Sequence, residues 1–570
     1  MPATPAMNDS IAIRVLIVGG GPVGLVLAMC LARHGVDVVV AEARHRGEAP
    51  SVKCNHISAR SMELFRKLGI ASAVRNCGLP EDFTNDVAFR TTTTGVELAR
   101  IPIPSRRHRY TDTSGPDGWW PTPEPPHRAN QLFLEPVLAE CAAAMAGLRI
   151  VNRLQVLDCT QDEHGVVADA KDLDSGERVR IACEYVIGCD GAKSLLRKKI
   201  GATLAGVDCI GRTQSTFIRA PGLLGLLEHP PAWATLSINP RRCGSVYAID
   251  STERWLVHNY LSREEEDFDE VDRDQAIRHI LGVGPGFYYD ILGKEDWTAR
   301  RLVADRFRDR RIFICGDAAH IWVPMAGYGM NAGIADAANL AWLLAAHLNG
   351  WAPATILDAH ERERLPITEQ ASRFAMNHAL ALQQHRDAVP EHIEAEGPHG
   401  DAVRAAAGRA LHDLNVQQYC CAGLNFGYFY DDSPIIEYDT ERAPGYTMSE
   451  YTPSTVPGCR TPHLWLRDGR SLYDDAAGSD YVLLRFDRAT NAEPLLDAAR
   501  RRNMPLRLLD VDAPGSRELY RHALVMSRPD QHVAWRGHAA PRDALHLIDR
   551  LRGALGGSAR SSVEVLPTTH

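Results

Sequence analysis

The first strongly patterned stretch is a short apolar run, Arg14-Val-Leu-Ile-Val18. It is followed by Gly19-Gly-Gly-Pro-Val-Gly24, an apolar stretch Leu25–His34 and a second run, Val36–Ala41. A continuous apolar run bounded by glycine reads as a buried strand, and the succession predicts a β-α-β unit of about thirty residues. Further strands are expected at Leu154–Thr160, Val166–Leu173 and Arg311–Cys315. Short apolar runs such as Val246–Ile249 and Trp255–Val257 point to a sheet between residues 205 and 300. A long alanine-rich helix is expected over Asn331–Leu348, more helix over 350–415, and a Pro-, Tyr- and Asp-containing linker over 425–460. The last part alternates again: strand Tyr481–Phe486, helix Glu493–Arg502, strands Leu506–Val511, Ala523–Arg528 and His532–Trp535, helix Pro541–Leu555. The pattern as a whole is α/β with a separate C-terminal unit.

Composition narrows the function classes. The 570 residues carry 63 Lys+Arg against 72 Asp+Glu, a net charge of −9, so no nucleic-acid partner is expected. No apolar run reaches the ~18 residues of a membrane span, and no membrane partner is expected. The 13 cysteines are scattered without a CxxC pair, which fits reduced thiols and a cytoplasmic location, and no metal site is expected.

Three motifs carry chemistry. Gly19-x-Gly21-x-x-Gly24 joins a strand to a helix: Gly19 allows the tight turn, Gly21 lets a pyrophosphate approach the backbone, and Gly24 lets helix and strand pack closely. Glu42, 18 residues beyond the last glycine, ends the second strand where an acid accepts hydrogen bonds from ribose hydroxyls. In Tyr185-Val-Ile-Gly-Cys-Asp190-Gly191, a buried strand ends in a tight turn, with Ser194 and Arg197 one helical turn apart. In Arg311-Ile-Phe-Ile-Cys-Gly316-Asp317-Ala-Ala-His320, a strand runs into Gly-Asp. Pro324-Met-Ala-Gly327-Tyr-Gly329-Met330-Asn331 then opens a helix whose N-terminus favours negative charge.

In this order and spacing the motifs resemble the group A flavin-dependent aromatic hydroxylases, the p-hydroxybenzoate-hydroxylase-like enzymes. Pro457–Leu466, Ser471–Asp474 and Arg528–Arg536 resemble the C-terminal part of the phenol hydroxylase and 2,4-dichlorophenol 6-monooxygenase branch. The resemblance implies a Rossmann-like FAD-binding domain (11–80, 100–200, 300–365) interleaved with a β-sheet substrate domain (81–99, 201–299). It also implies a helical or irregular middle region (366–455) and a thioredoxin-like domain (456–570). No cysteine follows Cys459, so dithiol chemistry is excluded there and the domain is expected to serve structure or oligomerisation.

The implied activity is hydroxylation of a phenolic substrate through a flavin C4a-hydroperoxide, with FAD as cofactor and NADPH or NADH as co-substrate. A polycyclic polyketide-type aromatic is the alternative substrate. A flavin halogenase or reductase is the lesser rival, and the halogenase string Trp-x-Trp-x-Ile-Pro is absent. A small aromatic partner and a homo-oligomer are expected.

Carried over residue by residue, Gly19, Gly21, Gly24 and Glu42 would hold the adenosine diphosphate, with Lys53 near the phosphates and Gln131 and Asp190 near FAD. Asp317 would meet the ribityl hydroxyls. Pro324, Gly329, Met330 and Asn331 would form the stretch at the flavin. Ala326 stands where relatives usually have the first of two glycines. In the segment Lys53–Arg60 relatives can place an acid that relays the phenol proton; here Asn55 is aligned and His56 adjoins it. The expectation is that His56 accepts the proton, with Tyr247 or Tyr260 as fallback.

Overall fold

The computed structural model describes residues 12–53, 56–475 and 480–556. Contacts divide the chain into two compact units. One takes the described residues of Met1–Ala338, Thr368–Gly427 and Tyr446–Tyr451; the other takes those of Asn339–Ile367, Tyr428–Gly445 and Thr452–His570.

The first unit holds two sheets. In one, the strands Ile312–Ile314, Arg178–Gly188, Ala12–Val18, Val38–Glu42 and Leu148–Asn152 lie side by side in that order, all parallel. The central strand is covered on both faces, with Val15, Leu16 and Ile17 fully buried, which is why its sequence is apolar without alternation. Parallel pairing has one consequence that matters most. Val18 pairs with Ala41 and Gly188, and Gly188 pairs with Ile314, so four strand ends and the residues after them reach the same edge. That edge therefore carries Gly19, Glu42, Asp190 and Asp317.

The second sheet is largely antiparallel. It runs His320–Ile321, Asp290–Ala304, Leu204–Arg219, Arg254–Tyr260, Gly244–Ala248, Ala234–Ser237, Val87–Arg90, Glu97–Ile101. Its longest strands, Leu204–Arg219 and Asp290–Ala304, pair over most of their length. The edge strand His320–Ile321 follows the Gly-Asp motif directly, so that motif links the two sheets. Cross-strand register places Tyr247, Leu256, His258, Tyr260, Thr213 and Trp297 on one face of this sheet.

The second unit contains a four-stranded sheet in the order Leu506–Asp510, Tyr481–Arg485, Leu524–Ser527, Val533–Gly537. The first pair is parallel and the others antiparallel. With the helices Glu493–Arg501, Ser516–Tyr520 and Ala544–Leu551 this is the thioredoxin-like order. Residues 339–367, read from the sequence as the close of the flavin domain plus the start of the middle region, group with this unit. The reason is packing that no local pattern discloses. Trp342 packs edge-on against Tyr481, and the buried Glu363 accepts from Arg528 Nη1 and Nη2 at 2.5 and 2.8 Å. Glu363 also accepts from Ser433 Oγ at 2.5 Å and Asn339 Nδ2 at 2.7 Å. Asp530 is the second carboxylate on Arg528.

Removing one partner of a buried ion pair strands the other charge. Glu363→Ala is expected to lower the stability of the second unit by about 3 kcal/mol or more, read by urea denaturation with a probe in that unit. A change below about 1 kcal/mol would show that Asp530 alone satisfies Arg528.

Candidate functional site

The Gly19–Gly24 turn shows which glycines serve packing and which leave room. A Cβ on Gly19, at φ +107°, would come 2.3 Å from the Cys189 carbonyl oxygen, and one on Gly24 would come 2.0 Å from the Gly19 oxygen. These two glycines let the backbones touch. A Cβ on Gly21 meets nothing within 4 Å, and neither does one on Gly191 or Gly329. Gly21 caps the helix Pro22–Arg33, whose first turn carries proline at N1, and no described side chain caps its N-terminal N–H groups. That arrangement fits a diphosphate.

Glu42 is nearly buried. Its carboxylate accepts from Gly20 N–H at 2.7 Å, Arg44 N–H at 2.8 Å, and Arg44 Nε and Nη2 at 3.2 Å each. Burial pushes its pKa up, but the hydrogen bonds and charge of Arg44 more than reverse this, and it is an anion. Four bonds fill the acceptor capacity of a carboxylate. A ribose diol would replace the two long bonds from Arg44, which keeps its ion pair to Glu135 at 2.6 Å. Gln131, the first residue of the helix Gln131–Ala143, donates to the same Glu135 at 2.8 Å. Arg44 and Glu135 are site residues that motif reading passed over; the signal for them is only their nearness in sequence to Glu42 and Gln131.

Lys53 pairs with Glu295 across a half-exposed gap, a weak bond that a phosphate can displace. Asp190 caps the helix Leu195–Lys199, accepting from Ser194 Oγ at 2.6 Å and from Leu195 N–H at 2.7 Å. Arg197, on that helix, donates to the Ala318 carbonyl at 3.0 Å. The second motif thus braces the third. Asp317 is solvent-accessible, yet protein surrounds it closely enough for lost hydration to raise its pKa, with His320 and Lys53 acting in the opposite sense. His320 is buried and meets Asp336 at 2.7 Å, so it stabilises the turn.

Pro324 precedes the short turn Met325–Gly327, in which Ala326 and Gly327 are both left-handed, at φ +55° and +60°. For Ala326 this conformation costs roughly 1 kcal/mol. The helix Tyr328–Leu348 starts immediately, carrying Gly329, Met330 and Asn331 in its first turn. Asn331 is buried and its side chain is fully used. It accepts from Ser58 N–H at 2.9 Å and Ser61 Oγ at 2.7 Å, and donates to the carbonyls of His56 at 3.1 Å and Gly327 at 2.7 Å. It clamps the His56–Ser61 segment to the helix start, leaving only backbone for a cofactor.

Asn55 lies outside the described residues. His56 is buried, and its surroundings run against the expected proton acceptor. Ile57 and His127 exchange backbone hydrogen bonds as an antiparallel bridge, which sets His56 opposite Arg128. Arg128 Nη1 lies 2.7 Å from His56 Nδ1. Arginine only donates, so Nδ1 holds the lone pair and Nε2 carries the hydrogen. Nε2 has no partner among the described residues. Burial, then the charges of Arg128, Arg109 and His127, hold His56 well below its ordinary pKa. The ring is a neutral donor. Tyr247 is equally unsuited as a base, since burial raises its pKa far above the phenol range. Tyr260 shares a 2.8 Å bond with Ser245. Trp119 is exposed on its loop, whereas Trp120 donates to Asp117 at 2.9 Å. Among the described residues no His, Cys, Asp and Glu group could hold a metal, and no helix is long and apolar enough to cross a membrane.

Comparison with known proteins gives the family. Residues 12–375 match the family model described as FAD binding domain, and residues 454–557 match aromatic-ring hydroxylase, C-terminal. The chain is similar to the FAD-dependent monooxygenase apdD of Emericella nidulans, 31% identical over 92% of this chain and 87% of the relative. It is 28% identical to phenol 2-monooxygenase of Pseudomonas sp. strain EST1001, over 96% of this chain and 94% of that one. The solved structure of the rebeccamycin biosynthetic enzyme RebC with reduced flavin superposes with a TM-score of 0.86 at 32% identity, covering 96% of this chain and 100% of that chain.

Two predictions follow from the site's chemistry. Glu42→Ala is expected to weaken FAD binding by about 1–3 kcal/mol, the worth of hydrogen bonds to a charged acceptor, in an equilibrium titration of apoprotein. Unchanged affinity would remove Glu42 from the ribose. The second concerns acid. His56, His127 and His378 are buried and held low chiefly by burial, His127 at about 3 and His378 at about 4, against an ordinary 6.5. The unfolded chain binds more protons than the folded one below that value, so the stability they contribute is present above it and is lost as pH falls toward the folded values. Denaturation at pH 7.5 and 5.5 should differ by on the order of 1 kcal/mol per histidine, the more acidic sample being weaker. Equal stability at both values would contradict burial of the neutral rings.

Proposed function

Because the chain belongs to the flavin-dependent aromatic-ring hydroxylases, we propose that it is an FAD-dependent monooxygenase that uses NAD(P)H and O2 to hydroxylate a phenolic substrate. The observation that carries this is the convergence of Gly21, Glu42 and Asp317 at one edge of the parallel sheet, beside the N-terminus of the helix Pro22–Arg33, where a Cβ on Gly21 would meet nothing within 4 Å. When bound, FAD supplies redox chemistry, taking reducing equivalents from the nicotinamide nucleotide and delivering one atom of O2 to the ring.

The chain's own residues divide the remaining work. Gly19, Gly21, Gly24 and Glu42 would hold the adenosine diphosphate, with Lys53 at the phosphates and Gln131 beside it through Glu135. Asp317 would take the ribityl hydroxyls, and Asp190 would hold the neighbouring turn in place. The first-turn backbone at Gly329, Met330 and Asn331 would present positive dipole to the flavin and so stabilise negative charge on it. His56, as a donor at Nε2, orients a substrate oxygen instead of taking its proton.

A polycyclic, polyketide-type aromatic is the second reading for the substrate. It is favoured by a row of rings, Trp233–Tyr247–His258–Trp297, with successive centroids 5.3, 5.5 and 6.0 Å apart. A cytoplasmic location is supported by free thiols at every described cysteine. A homo-oligomer is proposed through the thioredoxin-like unit, which lacks any cysteine of its own beyond Cys459.

Purified protein should be yellow and release FAD rather than FMN. It should oxidise NAD(P)H faster with one member of an aromatic panel and return a hydroxylated product. Asp317→Ala should lose flavin or turnover while the second unit keeps its unfolding transition. Wild-type FAD content and turnover in that variant would take Asp317 out of the site.

A further inference from the structure

Arg128 is a buried cation whose partners are all neutral. It is 5% exposed. Nη1 meets His56 Nδ1 at 2.7 Å and Nη2 meets the Tyr419 carbonyl at 3.3 Å. Its guanidinium carbon lies 4.6 Å from the Trp233 ring centre and 5.8 Å from that of Tyr419. Among the described residues no carboxylate pairs with it. Asp117, whose charge acts most strongly on Arg128, is committed elsewhere. Arg109 holds it with a short ion pair to the carboxylate and a 2.6 Å bond to its carbonyl, and Trp120 Nε1 donates to its other oxygen at 2.9 Å. Arg109, Asp117 and Arg128 together therefore leave one positive charge in the interior. The thiols of Cys420 and Cys421 add none in compensation, since burial raises both and keeps them protonated.

A buried charge is costly unless it is paired, and the rings supply only part of what a carboxylate would. Among the described residues, two of the five guanidinium N–H groups have partners. The His56 Nε2–H adds a further buried donor without a partner among the described residues. Position gives this surplus a meaning. His56 lies against the flavin-loop glycine, since a Cβ on Gly327 would come 2.8 Å from His56 Cβ. On its other side Arg128 stacks on Trp233, the first ring of the aromatic row on the second sheet.

We propose that Arg128, with His56 Nε2–H beside it, is the specificity-determining receptor for an oxyanion on the aromatic substrate, so that the substrate is an anionic aromatic compound. This rests on the hydroxylase reading above. The oxyanion is either a ring carboxylate or the phenolate itself, and Arg128 binds both by the same charge-assisted hydrogen bonds. A guanidinium suits this better than an ammonium because it stacks on a ring while its edge donates.

The test uses FAD-loaded protein and two sets of probes, with binding read from the change in flavin absorbance. The carboxylate arm compares salicylate, 1-hydroxy-2-naphthoate and 3-hydroxyanthracene-2-carboxylate, each with its own methyl ester. The phenolate arm compares phenol, 1-naphthol and 2-anthrol, each with its methyl ether. At least a tenfold preference for the anionic or ionisable member in one arm is expected. R128M should bring that ratio close to one at unchanged FAD content, and R128K should keep part of it. A carboxylate-arm preference identifies the carboxylate; a preference in the phenolate arm alone, growing with pH, identifies the phenolate. Wild-type protein that binds both members of every pair equally overturns the proposal without any variant, as does R128M that retains the wild-type ratio. Hydroxylation of neutral probes without discrimination would overturn this inference alone. Failure of every probe to bind or react would take the hydroxylase reading down with it.

Discussion

Parallel pairing of the strand Ala12–Val18 with its neighbours is the constraint on which the site depends. A parallel strand must end at the same edge as its partners, and Val18, Ala41, Gly188 and Ile314 do so within one register step. Loops separated by hundreds of residues then meet. The backbone contact that seals the edge leaves no room for a side chain at Gly19 or Gly24, while the space beyond Gly21 stays open. A fold built this way supplies a nucleotide cradle as a product of its own packing.

Around that edge the polar residues fall into two groups. Asp190, Arg197, His320, Asp336 and Asn331 spend their side chains on protein, fixing turns and tying the His56–Ser61 segment to the helix at Tyr328. Glu42, Asp317, Arg128 and His56 keep capacity that the described protein does not use, or uses through bonds long enough to exchange. The first group gives a rigid frame; the second is left for the proposed ligands. Ala326 belongs to neither: it holds a left-handed conformation that costs energy in the middle of the flavin loop, a position where strain persists only because its neighbours fix it.

The β-α-β unit, the glycine motif and the thioredoxin-like alternation were legible in the sequence because each is written within a few tens of residues in strand period, turn chemistry and helix caps. The long pairing of Leu204–Arg219 with Asp290–Ala304 was not, since both strands are polar over much of their length and their partners are distant in sequence. The grouping of residues 339–367 with the second unit escaped for the same reason, because Glu363 and Arg528 recognise each other across 165 positions. At the site, the glycines and acids were readable from spacing. The role of His56 was not, because its tautomer is dictated by Arg128, 72 residues away, through a two-residue bridge that no periodicity announces. Arg128 itself lay inside a segment whose visible feature was Gln131.

The proposed reaction passes a single oxygen atom from O2 to an aromatic ring. Turnover under 18O2 with NAD(P)H and an accepted aromatic substrate, followed by mass spectrometry of the product, measures this directly. One labelled oxygen per hydroxylated ring is expected, and none when the label is supplied as water. An unlabelled product, or consumption of O2 that ends entirely in hydrogen peroxide across the substrates the protein binds, would contradict it.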